Sequence, residues 1–112
     1  ALLIGSIGSV DAANWYTVGT DSNGVTWSID NDSVKKDDKK AVMDIKAMDY
    51  EGYHYIVTEE FNHKKREVKD LKVTLYNPQG YVVKEEQVNK NSRKVEPGTP
   101  AYAVFQLIWG GK

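Results

Sequence analysis

The 112-residue chain has no cysteine, three prolines, and no apolar run approaching the roughly 20 residues that a membrane-spanning helix needs. Without cysteine, a disulfide framework, a thiolate zinc site, a thiol nucleophile and an acylated lipobox are all excluded. An excess of either charge is lacking too. Fifteen basic against sixteen acidic residues give a net charge of −1, which argues against general binding to nucleic acid or an anionic membrane while leaving local patches open. The sequence contains no phosphate-cradling glycine loop, no Gly-x-Ser-x-Gly elbow and no serine with a neighbouring histidine. What remains is a chain 40% hydrophobic and 11% aromatic, sized for one domain with a modest core and rich in the residues pleated sheets favour.

The stretch Arg66–Val88 organises the reading as a β-hairpin. Leu71, Val73 and Leu75 alternate with Lys72, Thr74 and Tyr76, and Asn77-Pro78-Gln79-Gly80 supplies a type I turn. With Gly80 as a bulge, Tyr76 should face Val82, Leu75 face Val83, Thr74 meet Lys84 and Lys72 meet Glu86, keeping charges together. Before it, residues 1–13 (ALLIGSIGSVDAA) read as the distal part of a secretory signal, with Val10 and Ala12 spaced as at a signal-peptidase site; a first strand or tail is the alternative. Residues 14–112 form the domain. Asp21-Ser22-Asn23-Gly24 joins two short strands anchored by Trp15, Tyr16 and Trp27. Residues 31–40 read as a polar loop, 41–48 and 53–61 as strands joined at Asp49-Tyr50-Glu51-Gly52, and 89–94 as loop. Thr99-Pro100 starts a helix whose stripe is Ala101, Val104, Phe105 and Ile108, stopped by Gly110. The expected fold is α+β: about six antiparallel strands with a C-terminal α-helix packed on one face.

Several segments carry a family likeness. They are Trp15–Gly19 (WYTVG), Trp27–Val34 (WSIDNDSV), Glu60–Val68 (EFNHKKREV), Leu75–Val83 (LYNPQGYVV) and Val95–Ala101 (VEPGTPA). Together, over Asn14 to Trp109, the chain resembles the surface-adhesin protein E family of diderm bacterial envelopes. The resemblance implies a secreted or outer-surface domain, in the periplasm or on the cell surface, with an antiparallel sheet and a packed helix. The best-known member binds host matrix proteins such as vitronectin and laminin. Many members carry a cysteine pair, near His63 and in the last helix, and some are lipoproteins; this chain departs from both patterns.

Two candidate binding surfaces emerge. The run His63-Lys64-Lys65-Arg66, extended by Lys69, would meet an anionic glycan or an acidic patch on a matrix protein; the plainer reading is a solvated turn that blunts a sheet edge. Tyr53, Tyr55, Tyr76 and Tyr81 would give an aromatic surface, or simply cross-strand packing. His54 with His63 and Glu59-Glu60 does not converge into an acid–base or metal site, because neighbours on a strand point to opposite faces. Asp30-Asn31-Asp32-Ser33 lacks the glycine and terminal glutamate of a calcium loop. No catalytic residue, metal or cofactor is expected. The expectation is a non-enzymatic secreted or cell-surface domain binding a protein or glycan, such as a host extracellular-matrix protein or an anionic glycan. A homo-oligomer through an edge strand is a further option. The alternative is a periplasmic structural or envelope-assembly module.

Overall fold

A computed structural model describes residues 13–88 and 91–110. The signal-like stretch at residues 1–12 lies outside the described residues. The strands are β1 (Trp15–Thr20), β2 (Thr26–Asp30), β3 (Lys35–Lys36), β4 (Lys40–Met48), β5 (His54–Asn62), β6 (Glu67–Tyr76), β7 (Val82–Gln87) and β8 (Arg93–Lys94). A helix, α1 (Pro100–Trp109), follows. They make one antiparallel sheet in the order β1-β2-β4-β5-β6-β7, with β3 beside β4 and β8 beside β6. The α+β expectation holds. Two segments read as loop contribute more than loop. Residues 31–40 contain a 3₁₀ turn and the Lys35–Lys36 bridge to Val42 and Ala41. Arg93–Lys94 pairs with Glu67–Val68, further along the edge of β6 that β7 occupies near the Tyr76 end.

The alternation on β4 and β5 builds the core. Ala41, Met43 and Ile45 lie opposite Phe61, Glu59 and Val57, so all six point to one face. There α1 lays down Val104, Phe105 and Ile108, and with Ile29, Val68 and Val95 these make the buried cluster. The helix begins where the sequence signals it: Thr99 accepts from the Tyr102 N–H through its hydroxyl, Pro100 needs no donor, and Gly110 ends the helix at φ 64°.

Three of the hairpins turn at one end of the sheet by one device. Asp21, Asp49 and Asn77 each accept, through Oδ1, the N–H groups two and four residues on, at 2.9–3.1 Å. In each, the glycine at the fourth position has positive φ and donates its N–H to the carbonyl of that same Asp or Asn. Gly52 also lies against Pro78, tying two of the turns together.

The Arg66–Val88 hairpin forms, and Tyr76 does face Val82, but the rest of its expected register is corrected. Val83 is bulged out, so Leu75 meets Lys84, Thr74 meets Glu85, Val73 meets Glu86 and Lys72 meets Gln87. The cause is that β7 is exposed along its whole length. With no buried face to pin it, register follows local pairing, and the Lys72 Nζ reaches Glu85 at 3.1 Å. A second bulge, at Leu71, lies between β5 and β6.

Candidate functional site

The basic turn sits at the sheet end opposite the three Asp/Asn-Gly turns. Its backbone reverses through Arg66, at φ 53°. His63 is packed: its ring stacks on Trp109 at 4.3 Å between centroids and meets the Phe105 edge, while its N–H donates to the Lys39 carbonyl. Arg66 lies over the Phe105 ring at 5.3 Å. Lys64 and Lys65 point to solvent. Lys69 is separated from them, on the sheet face away from α1, shared with Lys40 around Glu60.

Sequence reasoning missed what His63 brings beside this turn. The 35–40 loop is held against it by the His63 bond to Lys39, by a contact between His63 Nδ1 and the Asp38 carbonyl, and by the Trp109 indole donating to the Asp37 carbonyl. Lys36 caps the helix C-terminus by donating to the Ile108 carbonyl at 2.7 Å. Among the described residues, Lys35, Lys39, Lys64 and Lys65 take part in no ion pair. The Asp37 carboxylate is turned inward onto the Lys40 and Lys39 N–H groups, which hold its pKa below the usual range. Four lysines and two aspartates in 35–40, with three cations in 64–66, give these two segments together five positive charges in excess.

The tyrosines do not join it. β5 spans nine residues, about 30 Å at strand rise, and the basic turn lies at its far end from Tyr53. Tyr55 lies across from Ala47 and Leu75 on the helix-side face. Tyr76 is on the other face, stacked on His54 at 5.0 Å. Tyr81 is 72% exposed and Tyr50, at the neighbouring turn, 85%.

A second site lies where α1 leaves the sheet uncovered. A cleft of about 590 Å³ runs between Pro100, Ala101 and Val104 of the helix and Trp27, Ile45 and Val57 of the sheet. Glu59, Asp70 and Arg93 line it too. Arg93 Nη2 donates to Glu59 at 3.0 Å and Nη1 to Asp70 at 3.3 Å, and the two carboxyl groups are hydrogen-bonded to each other. Burial, reinforced by the bond to and charge of Asp70, pushes Glu59 up to about 8 despite Arg93. Parity with Val57 and Phe61 marks Glu59 as inward in the sequence. Asp70 is inward only because of the Leu71 bulge.

Among the described residues no group of three His, Asp or Glu gathers to hold a metal, and no helix is long and apolar enough to cross a membrane. No curated protein and no solved structure matches the chain. The family model described as surface-adhesin protein E matches residues 15–108, from the first strand to the buried Ile108 of α1. The chain belongs to the surface-adhesin protein E family.

Proposed function

We propose that this protein is a non-enzymatic binding domain, secreted or at the cell surface, whose basic end engages anionic groups of a host extracellular-matrix protein or glycan. Family membership supports a surface adhesin. The observation that carries the anionic ligand is the placement of Lys39, whose carbonyl accepts the His63 N–H, beside the turn of Lys64 and Lys65, none of the three in an ion pair among the described residues. Clustered cations that outnumber the acidic side chains beside them attract a polyanion. The exposed Tyr50, Tyr53, Tyr55 and Tyr81 at the opposite end form a separate contact surface, suited to protein ligands. The exposed edge of β7 offers strand addition to a second chain.

The test is binding of the folded protein to matrix proteins and sulfated glycans across a salt series, with Lys64→Ser/Lys65→Ser and Lys39→Ser variants. Saturable binding that weakens with salt, falls at least tenfold in the double variant and falls by a smaller factor in Lys39→Ser is expected. Unchanged affinity in the variants would remove the basic end from the proposal. No binding by the folded protein would favour the periplasmic assembly module instead.

A further inference from the structure

Toward its C-terminal end α1 leaves a second groove, of about 330 Å³, against β1, β2 and β3. Its floor is apolar, with Ile29, Met43 and Ile108 from the buried cluster and Val34 packed beside them. Leu107 from the helix and Tyr16 from β1 also line it, and both remain about half exposed. One charged side chain enters the lining, Lys36. Strand pairing puts it there: Lys36 lies opposite Ala41, a core residue, and so on the helix side of the sheet. Its ammonium donates to the Ile108 carbonyl at 2.7 Å, which meets the partial negative charge of the helix end. An ammonium has three N–H groups, so two are left. Among the described residues Lys36 makes no ion pair. No carboxylate among those residues lines the groove either; Asp30 and Asp32 border a separate cavity with Asp44 and Thr58. The Asn31 amide and the Tyr16 hydroxyl supply neutral polar groups in the same lining.

We infer that this groove binds the free anion of a short fatty acid, its chain along Ile29, Val34 and Ile108 and its carboxylate on Lys36. An apolar lining with a few polar groups is the usual make-up of a small-molecule site, and the volume stands at the small end of such sites. It suits one short chain and not a two-chain lipid. The lysine selects the head group: a carboxylate gains a charge-assisted hydrogen bond, an alcohol gains a weaker one, and an amine meets like charge. Lys39, Lys64 and Lys65 do not line the groove. The site is therefore separate from the polyanion surface proposed above, and either can fail without the other.

The test is an NMR titration of the full chain with octanoate at pH 7, compared with octanol, octylamine and acetate. Saturable shifts centred on Asn31, Lys36, Leu107 and Ile108 are expected with octanoate, which should bind about fivefold tighter than octanol. Acetate, with the charge and no chain, should give no saturable shift there, and octylamine should bind more weakly than octanol. Lys36→Met keeps an apolar stem and should bring octanoate down to the affinity of octanol. Because Lys36 also caps α1, Leu107→Ser serves as a second variant: the side chain lies outside the buried cluster, so the fold should stand while octanoate and octanol both weaken about threefold. Lys64→Ser/Lys65→Ser should bind octanoate as the wild type does. Equal binding of octanol or octylamine, shifts centred on Lys39, Lys64 and Lys65, full octanoate affinity in either folded groove variant, or no saturable octanoate binding would each overturn the inference.

Discussion

The imidazole of His63 lies flat on the indole of Trp109, with centroids 4.3 Å apart and planes 3° from parallel. A residue that belongs in sequence to a basic run thus belongs in space to the core boundary, where it fixes the last turn of α1 over the β5–β6 turn. Phe105 closes the group edge-on against both rings.

His63→Ala removes the stack and the Nδ1 contact to the Asp38 carbonyl, and should destabilise the fold by about 1–2 kcal/mol. Chemical denaturation measures it. Any fall in polyanion binding in this variant would mix lost geometry with lost chemistry. Lys64→Ser and Lys65→Ser, on solvent-facing side chains, should leave stability within about 0.5 kcal/mol.

The three matching turns should differ in their tolerance of alanine. Gly24, Gly52 and Gly80 all have positive φ, so each Ala variant should cost on the order of 1 kcal/mol in backbone strain. At Gly24 and Gly80 a Cβ would meet open space, whereas at Gly52 it would come within 3.1 Å of the Pro78 Cβ. Gly52→Ala should therefore be the most destabilising of the three, by about a further 1 kcal/mol. Urea midpoints compared at constant m-value would show the ranking, and equal costs would argue against the Gly52–Pro78 packing.

Glu59 makes stability depend on pH. Unfolded, its carboxyl ionises near 4.5; folded, it is pushed up to about 8. Between those values the folded chain holds a proton that the unfolded chain has lost. Its contribution is thus complete below about pH 4.5 and is lost as pH rises through about 8. Glu59→Gln cannot ionise. Its thermal midpoint should fall less between pH 5 and 9 than that of the wild type, and at pH 9 it should be the more stable protein, by on the order of 3 kcal/mol. Parallel pH profiles for the two proteins would contradict the raised value.

What could be read from the sequence follows how local each determinant is. The Asx-Gly turns, the alternation on β4 and the Thr99-Pro100 cap are each decided within a few residues, and all are where the pattern places them. The register of β7 was not legible, because it is exposed on both faces and the alternation of Val82, Val83 and Lys84 is not tied to a core. The Glu59–Asp70–Arg93 group was hidden by a bulge. Strict alternation through Lys69, Leu71 and Val73 turns Asp70 outward with Lys72, and only the extra residue at Leu71 brings Val68, Asp70 and Val73 to one face. The gathering of residues 35–40 onto 63–66 depends on Trp109, 46 residues beyond His63 in the chain, and no local pattern encodes it.

Arg93 supplies the last test, because it acts on Glu59 in the opposite direction from burial. Its charge and its hydrogen bond draw the carboxyl pKa down, and without them Glu59 would titrate higher still. Arg93→Met keeps much of the side chain's bulk along the cleft while removing the guanidinium that bridges the two carboxyl groups. The cost should be about 1–3 kcal/mol near pH 8, less than for a fully enclosed pair because the Arg93 side chain is half exposed. Near pH 5, where Glu59 is protonated with or without Arg93, the cost should be smaller. In the Glu59→Gln background the same substitution should lose most of its pH dependence, since the titrating partner is gone. A double-mutant cycle at pH 5 and pH 8 measures the coupling directly. A coupling that is the same at both values would mean that Arg93 holds β8 to β6 by geometry alone, and that the charge of Glu59 is not what it answers.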